Sequence, residues 1–524
     1  MEGLTFDNID PRKRNIIMIG LAIALFAACF DGTVTTTCGP IIASGFNASE
    51  LLPWLTTGYL LLETVAIPLA GKLSDLYGRK RLLLIGLAFF GLASLLAGIA
   101  WDMWVVILAR SVQGLGGGIL IPVATAAVSD LYAPDDRGKI QGILGALFGI
   151  GMGFGPLIGG SFASVSEILG LAGWHWAFLI NLPIVIAVFI MCRGQFPSSS
   201  DDAKPSVDYK GIAMICVALV SVIIYFQLLS KGSIKMVSWT SLLCILVIIV
   251  LFRIFIEIEK SADEPIIAPY IFVNPTVRSA AIMLFLLGFA MVGDELFMGL
   301  YLQKVTGHSP IDAGMYILVM VGGMIVSSLA GGALLNRTGV KPWVIAGPIL
   351  MATGFFMFSH IETSFNATVF CLSELLFGLG GGCLLASLMT AVQNSCEHSE
   401  VGMTTSAVNL MRNIGSTVGT SIFTLVVNAA IYKESLTVIG GDIGRELGEL
   451  GIGILDRLDD PGMAPLYDSI RSVFTDAVAA AFGFGALVLL IAVIIGFMFK
   501  VVTTAQTKDI SEYARMITES NGKV

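Results

Sequence analysis

Fourteen stretches of about 20 mostly apolar residues run through the chain, each long enough to cross a bilayer as one helix. The first lies at 15–38 and the last at 475–499, with the seventh and eighth at 211–229 and 238–256. In hydrocarbon, a segment must satisfy its own backbone, which single helices do and isolated strands do not. The chain is therefore read as an all-α polytopic membrane protein of fourteen transmembrane helices. Composition agrees: of 524 residues, 56% are hydrophobic and 13% charged, against roughly 45–50% and 25% in soluble domains. A net charge of −8 argues against a nucleic-acid partner. The eight cysteines lie in or beside apolar runs without CxxC or Cys/His spacing, which supports neither a disulfide frame nor a metal site.

Lysine and arginine orient the spans. Of the 30 basic residues, 22 fall on the side of the termini, 7 on the other, and Arg110 lies within a span. Both termini are expected in the cytoplasm of a cell bounded by this membrane. The longest outer segment, 431–473, carries a turn signal at Asp459-Asp460-Pro461-Gly462 and reads either as a small hairpin or lid or as a flexible connector. The tail at 501–524 reads as a short surface helix.

The chain also repeats itself. GLGGG occurs at 114–118 and again at 378–382, an offset of 264 that also maps Gly151 onto Gly415, Gly155 onto Gly419 and Arg110 onto Glu374. At an offset of 261, Gly71 and Gly78 map onto Gly332 and Gly339. A nearly constant offset through consecutive helices divides the chain into an N-terminal six-helix half at 12–195 and a C-terminal half at 275–500. Between them, 196–274 holds two inserted helices without a counterpart.

Three motifs carry chemistry. GKLSDLYGRK (Gly71, Asp75, Gly78, Arg79) sits in the turn between spans 2 and 3, where Asp75 can pair with the basic cluster or cap a helix N-terminus across the molecule. Such a bond would act as a latch; a purely structural turn is the alternative. LARSVQGLGGG places Arg110 inside span 4, where an arginine must be paired or face water. GALFGIGMGFGPLIGG, with Gly151, Gly155, Pro156 and Gly159, makes span 5 a close-packing, bendable helix.

In this order, these motifs resemble those of the major facilitator superfamily. GxxxGPxxGG is similar to the signature of its proton-coupled antiporters. FDGTVTTTCGP (Phe30 to Pro40), WHWAFLINLP (Trp174 to Pro183) and the two extra helices resemble its fourteen-span drug:proton antiporter branch. His175, where that branch has arginine, and Thr35-Thr36-Thr37, where it has Val-Asn-Val, depart from the pattern. The resemblance implies two pseudo-symmetric six-helix halves around a central cavity, plus two peripheral helices.

Ionisable residues inside spans are functional candidates by default. Asp31, Glu63, Asp294, Glu295 and Glu374 qualify, with Arg110 as a coupling partner. An acid withdrawn from water exchanges protons nearer neutral pH, and when ionised it neutralises a cation, so proton and cation compete for one place. Each acid has a packing role as its alternative. Asp294 and Glu295 point about 100° apart on a helix, and Asp294 is favoured. Trp54, Tyr59 and Phe297 are the aromatic candidates for apolar ligands, and Arg412 with Asn413 reads as an interfacial anchor.

The function expected is secondary active export of lipophilic, often cationic, drugs in exchange for protons by alternating access, with no cofactor beyond the proton gradient. Export of one metabolite or peptide, or a non-transporting membrane sensor, stays open. The chain shows no His/Asp/Ser or metal constellation facing one compartment, so an enzyme is not expected.

Overall fold

The structure, a computed structural model, describes residues 10–195, 208–230, 233–234, 236, 238–262, 264–459 and 461–502. The tail helix expected at 501–524 thus lies almost wholly outside the described residues, as does Asp460 of the outer turn signal. Fourteen helices among the described residues are long and apolar enough to span a membrane. The N-terminal half comprises α1 (Pro11–Gly45), α2 (Leu52–Tyr77), α3 (Arg79–Gly98), α4 (Met103–Leu131), α5 (Pro134–Ala163) and a sixth span broken into α6 (Gly173–Leu179) and α7 (Asn181–Gln195). The inserted pair is α8 (Tyr209–Ser230) and α9 (Trp239–Ser261). The C-terminal half comprises α10 (Pro275–Leu300), α11 (Pro310–Thr338), α12 (Lys341–Phe358), α13 (Ala367–Asn394), α14 (Val401–Val438), the short α15 (Gly441–Glu449) and α16 (Tyr467–Met498).

The helix ends follow from local chemistry. Asp10 and Asp102 accept from Arg12 N and Trp104 N, 2.9 and 2.8 Å, and so cap α1 and α4. Gly78 (φ +86°) turns α2 into α3, and Gly339 (φ +74°) ends α11 at the matching place in the second half. Both lie in the left-handed region that glycine enters at little cost.

Small residues set the helix spacing in both halves alike. A Cβ at Gly151 would stand 2.7 Å from that of Cys29, and one at Gly159 would stand 2.5 Å from the Val34 carbonyl, so α5 lies directly on α1. Pro156 has no N–H to give the Met152 carbonyl four residues back, and Thr33 Oγ1 donates to that oxygen instead at 3.1 Å. Thr37 Oγ1 donates to Pro156 O at 2.9 Å, so the threonines of span 1 fasten it to the glycine helix. The same construction joins α14 to α10, where a Cβ at Gly419 would stand 2.5 Å from the Phe289 carbonyl. Gly114 of α4 and Gly378 of α13 abut the carbonyls of Tyr59 and Met320. The repeat is therefore one of packing as well as sequence.

The halves meet along α5–α11 and α2–α14. At the end that holds both termini, the seam is bonded. Arg137 Nη1 donates to Gln393 O and Asn394 Oδ1 at 3.2 and 3.0 Å, and Gln393 Nε2 donates to Thr125 O at 2.7 Å. Towards the other end, α8 stands between α2 and α14, with Gln227 donating to Thr57 Oγ1 and Ser421 to Phe226 O, at 2.8 and 2.9 Å. The stretch after α9 crosses the sealed end as a strap. Glu264 pairs with Lys72, Ala268 N lies 3.5 Å from Met403 Sδ, and Tyr270 donates to Glu400 at 2.5 Å.

Among the described residues, the outer segment 431–473 consists of helix ends and short helices packed on the C-terminal half. α14 runs to Val438, and α15 with the 3₁₀ turn Gly451–Asp459 folds back over the C-terminal half. Leu447, Ile454 and Leu455 are buried in that half's core, and Asn428 Oδ1 accepts from Ile452 N at 2.9 Å. The apolar periodicity at 442–450 is enough to dock the segment once a hydrophobic surface lies beneath it.

Candidate functional site

In the N-terminal half, Asp31 of α1 and Arg110 of α4 are both fully buried and form an ion pair. Both oxygens of the carboxylate are engaged. Gln113 Nε2 and Asn181 Nδ2 each donate to Oδ1 at 2.8 Å, while Arg110 Nη1 donates to Oδ2 and to Gln113 Oε1. Gln113 also donates to Ser94 Oγ at 2.8 Å. The guanidinium lies 4.3 Å from the Tyr59 ring centroid, and the Tyr59 hydroxyl donates to Ala28 O at 3.3 Å. Tyr59 thus belongs to this cluster as a platform for Arg110 and does not face a ligand space. Gln113 and Asn181 escaped the sequence reading. The signal for Gln113 was its place one turn beyond Arg110 on the same helix face, and Asn181 stands within the WHWAFLINLP stretch.

The equivalent place in the C-terminal half is occupied differently. Asp294 of α10 and Glu374 of α13 are both fully buried and face one another. Apart from one another, none of their four oxygens has a hydrogen-bond partner among the described residues. Glu295 is only half-buried, as the turn of the helix requires. Phe297 is fully buried in the core of this half, 6.3 Å from the Phe423 ring. Trp54 is 44% exposed near the start of α2 and joins none of the buried clusters.

Between the halves, Glu63 of α2 faces Arg412 and Asn413 of α14. Arg412 is buried, with its guanidinium 4.3 Å from the Phe148 ring of α5. This corrects the reading of Arg412 as an interfacial anchor. It lies eight residues, ~12 Å, inside the expected start of its span, too deep to serve the surface. The arginine instead ties α14 to two helices of the opposite half.

Asp75 makes both of the bonds its motif allowed. It pairs with Arg79 at 2.6 Å and accepts from Gly402 N and Met403 N, at 3.2 and 2.8 Å, in the first turn of α14. A carboxylate at a helix N-terminus is favoured by the free N–H groups and the helix dipole, and here helix and cap belong to different halves. Arg79 also reaches Asp130 at 3.1 Å. Cys396, in the turn before α14, lies buried within this seam, and burial pushes its thiol up to about 12. A free thiol ionises near 8.5, so at pH 8 Cys396 is unreactive while the seam is shut. Because the open state releases this proton first, the closed state loses stability as pH rises above about 8.5. Asp75→Ala removes the cap and should weaken the closed seam by about 1–2 kcal/mol, shifting the open-to-closed ratio ~5–30-fold. The check is the rate of maleimide addition at Cys396, followed by peptide mass spectrometry. An unchanged rate would mean that the cap does not hold the seam.

Two six-helix halves of matching construction, closed over buried ionisable side chains, define a polytopic membrane transporter rather than an enzyme. The chain belongs to the Major Facilitator Superfamily, whose profile matches residues 21–420. It is 34% identical over 418 residues to the multidrug transporter protein MdtP of Bacillus subtilis (strain 168), covering 80% of this chain and 76% of that one. It is 29% identical over 490 residues to multidrug resistance protein 3 of the same organism, covering 91% and 93%. The proton:xylose symporter XylE bound to 6-bromo-6-deoxy-D-glucose superimposes with a TM-score of 0.61 over 95% of this chain and 99% of that one. At 12% identity, that likeness is one of fold.

Proposed function

We propose that the protein exports lipophilic, often cationic, compounds across a cell membrane in exchange for protons, with both termini in the cytoplasm. The observation that carries this reading is the set of buried acids, Asp31, Glu63, Asp294 and Glu374, inside a two-half transporter. A carboxyl group in such a place exists either as the neutral acid or as a carboxylate beside a cation, because an unpaired buried charge costs several kcal/mol. Proton and cationic substrate therefore exclude one another, and that competition couples their movements. The relatives named as multidrug transporters supply the substrate class.

Alternating access follows from the seams. The basic loops cluster at the sealed end, so the cytoplasmic side is the closed one in this conformation. Opening it requires the Asp75 cap and the Arg137 bonds to part and Arg412 to leave its place opposite Glu63, while α5 and α11 pivot on small residues such as Gly142 beside Ser328 and Gly332.

The test uses purified protein in liposomes with an imposed pH gradient. Ethidium and an unrelated lipophilic cation should each drive proton movement. If neither moves protons through folded protein, antiport of this substrate class is wrong, and export of a single metabolite or peptide takes its place.

A further inference from the structure

We propose that the exchanged proton resides on the Asp294–Glu374 pair, which is the site a lipophilic organic cation takes over, while Asp31 keeps its charge throughout the cycle. This rests on the antiport reading and assigns its chemistry to one half.

The repeat makes the comparison direct. Arg110 and Glu374 are equivalent at the offset of 264, which carries Asp31 onto Glu295, the neighbour of Asp294. Each half therefore buries an acid of its first helix opposite its fourth, once against an arginine and once against a second acid, with Asp294 placed about one turn further along its helix than Asp31. In the first, Arg110, Gln113 and Asn181 engage both carboxylate oxygens. Protonating Asp31 would strand a buried guanidinium and forfeit those bonds, so this acid is held ionised. In the second pair, four buried oxygens lack any other partner, and no lysine, arginine or histidine forms an ion pair with either group among the described residues. The other ionisable groups acting on them are Glu295 and Cys371, both acids. Two facing carboxylates cannot both be charged there, because like charges at short range in a low-dielectric interior repel strongly. The pair therefore holds at least one proton when the site is empty.

The exchange step balances simply. A carboxyl O–H bond of the pair breaks, the proton passes to water on the open side, and the carboxylate left behind neutralises the arriving cation. Reprotonation from the opposite side displaces the cation. No redox partner or covalent intermediate is involved.

The experiment is infrared difference spectroscopy of the full chain in lipid as pH is stepped, read at the carbonyl stretch of a protonated carboxylic acid. It is paired with proton release on binding tetraphenylphosphonium. The native protein should show the band and release about one proton per cation bound. Asp294→Asn and Glu374→Gln, both close in shape to the native side chains, should each lose or shift the band and abolish the release. Asp31→Asn combined with Arg110→Gln removes both charges of the other pair together and should leave the band in place. Labelling glutamate carboxyls with carbon-13 in the native protein should shift the band, which a proton on Asp31 could not produce, so the assignment does not depend on any variant folding. A band that survives in both Asp294→Asn and Glu374→Gln, or disappears with the Asp31/Arg110 variant, overturns the assignment. If the band belongs to the pair but native protein releases no proton on binding cations, the antiport reading fails while the placement of the proton stands.

Discussion

Arg110→Ala should remove most folded protein from the membrane, the largest effect of any single side-chain truncation in the N-terminal half. The guanidinium is fully buried and is the only cation paired with Asp31 among the described residues. Its loss leaves a carboxylate inside the bundle with only Gln113 and Asn181 as donors. Breaking a buried pair on one side costs about 3–5 kcal/mol, whereas removing both charges together is often nearly neutral. The single variant should therefore lower the yield and thermal stability of detergent-solubilised protein sharply, and adding Asp31→Asn should restore much of both. A stable single variant, or a pair that behaves as the sum of its parts, would show that Asp31 does not need its arginine.

The second large effect concerns motion. Gly71 of α2 has no side chain, and a Cβ there would overlap Ser406 Oγ and stand 2.5 Å from the Gly402 carbonyl of α14. Backbone cannot yield as a flexible side-chain tip does, so Gly71→Val should hold the sealed end apart. Overpacking of this kind costs typically 1–3 kcal/mol, levied here on the closed seam rather than on either half's own core. The variant should fold, lose transport almost completely, and expose Cys396 to maleimide at pH 8, where the native thiol is shielded. Gly71→Ala should fall between the two. A valine variant that transports normally would mean that this seam does not close during the cycle.

The strength of the sequence reading varied with the kind of claim. Fourteen spans could be counted because bilayer thickness fixes a length that hydropathy measures directly. The paired roles of Asp75 were legible because its motif offered few partners and a helix N-terminus is the natural mate of an acid. The surroundings of Phe297 were not legible, because an aromatic inside a span is as suited to a packed core as to a ligand cavity, and only its neighbours decide between them. Arg412 was misjudged for a related reason: a position near one end of a helix does not reveal that another helix's acid lies opposite. The outer segment was left open between a hairpin or lid and a flexible connector because its glycines and acids weaken local propensity, while the apolar surface it packs on belongs to α14 and α16.

The sequence alone determined the class of fold, the repeat and the short set of ionisable residues that a membrane would not tolerate without purpose. These follow from solvation and periodicity, which act on each segment separately. Only the tertiary structure decided that both oxygens of Asp31 are met by donors while Asp294 and Glu374 face only each other, and that Glu63 and Arg412 face one another across the interface. Whether a buried charge is compensated depends on side chains more than a hundred residues away in some of these pairs, and long-range packing alone brings them face to face.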